Sequence, residues 1–514
     1  MQKKLRSTLF WFILLQPFIE IYWLYNGPIA NLLPFTIPTI LRIIGVFIVF
    51  LMYFSEKRNW LKLRKSWWII AYVIILIAYS LVHLYLAKDF KALDPTSYGY
   101  STFGEIFYLI RMALPLVILY ITQNADFSED QFIHVIQGLV GSISGIIVVS
   151  DIFKISLTSY GRTQLIKYNI FEWFFHSKAS FYQMAAKGWF NFANTTSAVL
   201  FMLMPLMLYV LVKQFNWINI LLTSLQALAM LMLGTKVALY GLIVSLVAFV
   251  IICLIHRFIL KNLVFSKKLI LTFVLLVVGI GLIAPYTPAM RRTSFDDAIV
   301  KTRKKRTHKK SLNKKLEQGL EKSKSKSQKK KFLKKFIPKH YQDYSLQHRF
   351  IYDSYNYKYD PYFWLAVMKL PVAERLDNRQ IETRMLDQVK KNNNNKLADW
   401  FGISYVRESN IFPLERDFIS QYYSLGIIGT ILFLGIYVVC LLYAIVKWFS
   451  RKENRTFQHT MLITSLGFIM LAAFYSGNVM DFLFATIIMS FIMGYLLSII
   501  DKQKHQEKTK LSFN

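Results

Sequence analysis

WINILLTSLQALAMLMLGTKVALYGLIVSLVAFVIICLIH, residues 217–256, carries a single formal charge, Lys236. A hydrocarbon layer about 30 Å thick takes roughly 20 apolar residues of helix, so this stretch is long enough for two crossings. The two touch at Gly234-Thr235, so 217–233 and 235–256 must be joined by a tight turn. Lipid offers the backbone no hydrogen-bond partners, so both read as helices.

Ten further apolar runs flank this pair, at 8–25, 36–54, 67–86, 103–122, 133–150, 195–213, 269–285, 420–446, 459–475 and 480–500. The expectation is an all-α polytopic membrane protein of about 12 transmembrane helices. Composition agrees: 55% of the 514 residues are hydrophobic and 16% aromatic, more than a soluble chain of this size could cover with polar surface. Cys253 and Cys440 both lie inside apolar runs, which excludes a disulfide framework or a zinc knuckle. The basic start, Lys3, Lys4 and Arg6, is followed by no small-residue cleavage site and reads as an uncleaved first helix.

Loop charges set the orientation. Lys57, Arg58, Lys62, Arg64 and Lys65 follow the second run, Arg257, Lys261, Lys267 and Lys268 the eighth, and Lys447, Arg451, Lys452 and Arg455 the tenth. All fall on one side with the basic start, which makes that side and both termini cytoplasmic in a cell membrane; the acidic loop Asn124–Asp130 alone dissents. Two large segments then face outward. Residues 151–194 are dense in aromatics, including Phe171, Trp173, Phe174, Phe175 and Trp189, side chains suited to the headgroup level. Residues 286–419 form a large extracellular insert between helices 9 and 10. The organisation is therefore a bundle over 1–285, the insert over 286–419, a second bundle segment over 420–500 and a cytoplasmic tail over 501–514.

Charge is concentrated in the insert. Lys301–His340 holds 18 Lys and Arg against Glu317 and Glu321, a net +16 of the chain's formal +33. Few apolar residues interrupt the lysines up to Lys335, and the tract is expected to be partly disordered. It fits anionic lipid or wall polymer, or the acidic glycan itself; a solvated, self-repelling linker is the competing reading. Nucleic acid is not expected on the outer side. The rest of the insert, 341–418, contains Trp364, Trp400 and many tyrosines and should fold.

Charges within the spanning runs are Glu20, Arg42, Glu105, Arg111, Lys236 and Asp481. An ionised group there costs a few kcal/mol unless it faces a cavity or a partner. Snorkelling or mutual pairing is one explanation, and Glu105 lies within two turns of Arg111. The other is a site: Arg42, Arg111 and Lys236 fall where an outward cavity could gather them, and three cations suit a pyrophosphate. No P-loop, metal-binding His/Cys cluster or G-x-S-x-G elbow is present, and no cofactor is expected.

Four short strings carry a family resemblance. Gly188-Trp189-Phe190 runs into Ala193-Asn194 and a new span; Leu233-Gly234-Thr235-Lys236-Val237 sits at a helix start. Pro413-Leu414-Glu415-Arg416-Asp417-Phe418 precedes Tyr423-Ser424-Leu425-Gly426-Ile427-Ile428-Gly429, and Ser476-Gly477-Asn478-Val479 precedes the last run. In this order they resemble the O-antigen ligase and polysaccharide polymerase-like membrane proteins, especially those of Gram-positive bacteria. The likeness covers about 185–245 and 345–495. This chain departs from the family pattern at Thr195, where a Glu is usual, and at Asn478, where a His is usual.

The resemblance implies a GT-C-like bundle and a metal-independent, inverting glycosyl transfer at the outer leaflet from a polyprenyl-pyrophosphate-linked glycan. Carried over residue by residue, Lys236 would sit on the pyrophosphate, with Arg349 of Gln347-His348-Arg349-Phe350 as a second contact; Arg111 and Arg42 are candidates from the charge pattern alone. Glu415 or Asp417 would orient or deprotonate the acceptor, with His348 a lesser candidate. Trp189, Asn194 and Asn478 would face the glycan or the acceptor. A transporter or flippase, and a non-catalytic relative that only holds lipid-linked glycan, are the alternatives; the first is disfavoured because the two halves show no echo.

Overall fold

The computed structural model describes residues 2–27, 35–90, 100–176, 179–307, 310–405 and 415–511. Among them the regular structure is helical, and the β-type pairing consists of isolated bridges. Ten helices are long and apolar enough to cross a membrane: Ile37–Phe54, Trp67–Ala87, Thr102–Asn124, Glu129–Ile152, Ala193–Lys213, Lys236–Ile259, Lys267–Tyr286, Asp417–Ser450, Phe457–Tyr475 and Leu483–Ile500.

Two of the twelve expected crossings take another form. The first run is interrupted. A helix Gln2–Leu14 gives way to the short turns Gln16–Ile19 and Tyr22–Asn26. Pro17 cannot donate to a helix ladder, and Ile21 is extended, bridging to Phe190. The freed backbone is satisfied by the aromatic loop, with Tyr22 N–H donating to Trp189 O (2.8 Å) and Asn191 N–H to Glu20 O (3.1 Å). The seventh run, Trp217–Met232, is a 16-residue helix. At 1.5 Å per residue that is about 24 Å, short of the hydrocarbon thickness.

The chain divides into two compact units. The first comprises residues up to 71, 111–292 and from 433 onward. Ala193–Lys213 is its axis: 94% of its most apolar 18-residue stretch is buried, and it packs against Phe457–Tyr475, Trp217–Met232, Lys236–Leu254 and Glu129–Ile152. Its neighbours approach because it carries small and flexible residues, Thr195, Thr196, Ser197 and several methionines. Lys267–Tyr286 is the opposite case, only 6% buried, with Leu271, Leu275 and Leu282 exposed. Such an aliphatic surface is stable only against lipid.

The second unit comprises 72–110 and 293–432. Its apolar core joins Leu316, Leu333, Phe336 and Ile337 to Phe350, Trp364, Met385 and Leu386. This corrects the expectation of partial disorder for the basic tract. Apart from 308–309, which lie outside the described residues, it forms the helices Pro288–Thr307, Lys310–Lys322 and Lys326–His340. The lysines hide a helical repeat of Leu312, Leu316 and Leu320, and then of Leu333, Phe336 and Ile337, that is wide enough to pack.

The same unit contains a broken helix. Asp417–Thr430 is interrupted at Gly426 (φ +70°), and Gly402 (φ +81°) lies against the break. Ile403 N–H donates to Tyr423 O (2.9 Å), and Tyr79 Oη to Leu425 O (2.5 Å). Nearby, His83 is fully buried, its ring nitrogens within hydrogen-bond distance of Phe401 O (2.6 Å) and Glu105 Oε1 (2.7 Å). Glu105 also receives Tyr405 N–H at 2.9 and 3.0 Å. The expected local pairing of Glu105 with Arg111 is thus replaced by one with His83.

Candidate functional site

The turn between Trp217–Met232 and Lys236–Leu254 is built for close approach. Gly234 takes φ +66°, and a Cβ there would fall 2.7 Å from Ala185 Cβ and 2.9 Å from Pro288 Cβ. Thr235 caps the next helix, its Oγ1 accepting from Ala238 N–H (3.1 Å) and lying 2.7 Å from Ser197 Oγ. Lys236 is the first helical residue and is exposed. The helix dipole and the ammonium group thus add at one place.

Two other strings reach the same region of the first unit. In the aromatic loop, Ala186 N–H donates to Met232 O (2.9 Å), and Tyr160 Oη donates to Gly234 O (2.6 Å). At the other end of the same short chain of contacts, Thr195 Oγ1 donates to Asn478 O (2.8 Å). There Gly477 (φ +70°) and Asn478 (φ +62°) form a left-handed turn, and Arg111 Nη2 donates to Asp481 O (2.5 Å). Lys236, Thr235, Ser197, Thr195, the Asn478 turn and Arg111 are therefore linked through one axis helix. Asn194 is the second residue of that helix, half-buried, and Trp189 Nε1 donates to Ile155 O (3.1 Å).

Two cations at this site were not anticipated. Arg292 donates to Tyr160 Oη (2.7 Å), with its guanidinium 4.9 Å from that ring, and so is one side chain removed from Gly234. Its signal was an Arg pair directly after the ninth run; Arg291, the other member, instead binds the carbonyls of Trp173, His176 and Ala179. Lys187 is buried, its Nζ donating to Gly161 O (3.0 Å) and Asn191 O (3.1 Å). Burial lowers its pKa to about 8.

Arg42 is differently placed. It is 1% exposed and donates to Gln16 Oε1 (2.9 Å), Tyr25 Oη (3.1 Å) and Glu20 Oε2 (2.8 Å). Its charge is matched by Glu20, and the pair holds the interrupted first run against Ile37–Phe54. The side chain expected to meet phosphate is thus engaged by protein partners in this structure.

The remaining predicted residues lie in the second unit. Arg349 pairs with Glu382 (3.5 Å) and Arg379 with Glu415 (3.2 Å). Asp417 is buried in the first turn of its helix. His348 is exposed and stacks on Tyr352 at 4.3 Å. Residues 406–414, including part of the acidic string, lie outside the described residues.

Glu382 was not foreseen by sequence reasoning. Burial pushes its carboxyl up to about 7, against the opposing pull of Arg349. A folded-state pKa above the ordinary value of 4.5 means that the protonated carboxyl favours the folded form. Its stabilising contribution is therefore complete below pH 4.5 and lost as pH rises to about 7. Glu382→Gln should flatten this slope, raising the melting temperature at pH 8 relative to the wild type and leaving it unchanged near pH 4.5. Thermal melts followed by tryptophan fluorescence check it; an unaltered gap between the two pH values would refute it.

Compared with known proteins, the chain matches a family model described as O-antigen ligase like membrane protein over residues 2–503. No curated protein matches it.

Proposed function

Because the chain belongs to the O-antigen ligase like membrane protein family, we propose that it transfers glycan from a polyprenyl-pyrophosphate carrier to a hydroxyl acceptor at the outer face of the cell membrane. Membership itself points to glycan transfer in polysaccharide biosynthesis, with a membrane-embedded, lipid-linked substrate. The observation that carries the finer reading is the convergence of three separated strings on the start of the Lys236 helix, linked by Ser197–Thr235 (2.7 Å) and Thr195–Asn478 (2.8 Å).

The chemistry needs two things. As the acceptor oxygen bonds to the anomeric carbon from the opposite face, the bond to the pyrophosphate breaks and negative charge grows on the departing oxygen. Lys236, the helix amides behind it, Arg292 and Arg111 supply positive charge for that oxygen without a metal. The acceptor hydroxyl must also lose its proton, for which Glu415 or Asp417 provides a carboxylate, with His348 the lesser alternative. Arg349 serves as a further phosphate contact when it leaves Glu382. Trp189, Asn194 and Asn478 are assigned to the sugar or the acceptor, where an aromatic face and amide groups suit hydroxylated rings. Both chain termini then lie in the cytoplasm and the 286–419 insert outside.

Deletion of the gene tests the reading. Carrier lipid from the deletion strain should hold single repeat units or unattached chains, with surface polymer lost. Unchanged glycan length and attachment would remove the proposal.

A further inference from the structure

The basic tract of the second unit is an ordered two-helix hairpin, Lys310–Lys322 and Lys326–His340. A capping box fixes the second helix, Gln328 N–H donating to Ser325 Oγ (3.1 Å) and Ser325 N–H to Gln328 Oε1 (3.3 Å). Tyr344 Oη donates to Asn313 Oδ1 (3.0 Å) and Tyr362 Oη to Lys326 O (2.8 Å), so both helices are tied to the folded part of the unit. Their apolar residues are consumed by its core.

Lysine dominates what remains outside, with Glu317 and Glu321 the exposed acidic residues among the described ones. Lys314, Lys315, Lys330, Lys331, Lys334 and Lys335 are all exposed, and none joins an ion pair among the described residues. So many like charges on one rigid surface repel each other and attract a compensating anion. A helix seated in the bilayer interface also buries apolar side chains at the acyl boundary, beyond the charge attraction that lysines alone supply. Among the described residues of Lys310–His340 no large hydrophobic side chain is exposed. The surface therefore suits a flexible polymer that wraps in solution better than a membrane.

We infer that the Lys310–His340 hairpin is a docking face for a polyanionic glycan chain, one bearing phosphate or carboxylate groups at short intervals, and that this chain is a substrate or product of the transfer. The second clause rests on the function proposed above; the docking itself does not.

The full-length protein in phosphatidylcholine nanodiscs is titrated with fluorescent poly(glycerol phosphate), polyglucuronate and neutral dextran. One of the acidic polymers should bind and dextran should not, and which one binds tells phosphate from carboxylate. Affinity should fall steeply between about 50 and 200 mM salt, as expected when several cations release counterions. K330Q/K331Q/K334Q/K335Q should weaken binding about tenfold or more and flatten the salt dependence. The all-Arg counterpart should keep both, and K314Q/K315Q provides a second, milder variant should the quadruple Gln protein misfold. Equal binding by the Gln variants, equal binding of dextran, binding that appears only with anionic lipid, or a preference for single-stranded RNA over both glycans would each overturn the inference. Polymer docking without a glycan defect in the deletion strain would instead retain the docking face and remove the transfer reading.

Discussion

Gly426→Ala should leave little folded protein in the membrane fraction, under about a tenth of the wild-type level, because unfolded chain is cleared continuously. Two costs act together. Gly426 takes φ +70° with ψ −176°, a backbone state essentially confined to glycine and costing about 1–3 kcal/mol for a residue with a Cβ. The added Cβ would also fall 2.4 Å from Gly402 N, Phe401 N and Trp400 C. These are backbone atoms, so no side chain can rotate away, and overpacking of this kind adds about 1–3 kcal/mol or more. Against a net stability of about 5–15 kcal/mol, the sum is a large fraction. Gly402→Ala should behave alike, since its Cβ would meet Ser424 O at 2.1 Å. Gly279→Ala is the control: it lies in a lipid-facing helix with nothing within 4 Å, and should accumulate normally. Immunoblots of membranes with fluorescence-detected size exclusion separate these outcomes. Wild-type amounts of monodisperse Gly426→Ala protein would show that the contact between the two glycines is dispensable.

That contact illustrates what the sequence could and could not disclose. Long aliphatic runs announced most of the spanning helices, because length and apolarity are local properties. The tight turn at Gly234-Thr235 was equally local, forced by two abutting runs. The interruption near Pro17 had signals, a proline and Glu20 within an apolar stretch, but its cause lies elsewhere in the chain, in the bonds to Trp189 and Asn191. Partnerships were the least legible. Arg42 had the composition of a phosphate ligand until Glu20, Gln16 and Tyr25 were found around it. Thr195 and Asn478, the two positions where the chain departs from the family pattern, are 283 residues apart and bonded to each other. The bond runs from the Thr195 hydroxyl to the Asn478 main-chain carbonyl, so it brings the two positions together whatever side chain residue 478 carries. In the basic tract, the leucine spacing was present in the sequence but masked by the number of lysines around it.

Lys236→Ala should lower glycan transfer about 100-fold or more, the loss typical when a preorganised charge is removed from a developing oxyanion. The same change should leave folding intact or slightly improved. Lys236 is the first residue of its helix and is exposed, so it fills no core and its removal leaves no cavity. A cation at a helix N-terminus is, if anything, unfavourable by about 0.3–1 kcal/mol, since the dipole there is already positive. Alanine is the better helix former at that position. An anionic ligand is a physical reason for a lysine at this helix start. The prediction separates activity from stability: activity falls while melting temperature and membrane abundance hold or rise. Lys236→Arg should recover part of the rate, because charge is kept but the planar guanidinium sits differently on a phosphate. Lys236→Glu should be inactive although well folded. The measurement is repeat-unit transfer from purified carrier-linked glycan, with melting of the same samples. Undiminished transfer by a stable Lys236→Ala protein would place the departing pyrophosphate elsewhere, and Arg111 and Arg292 would be the next residues to replace.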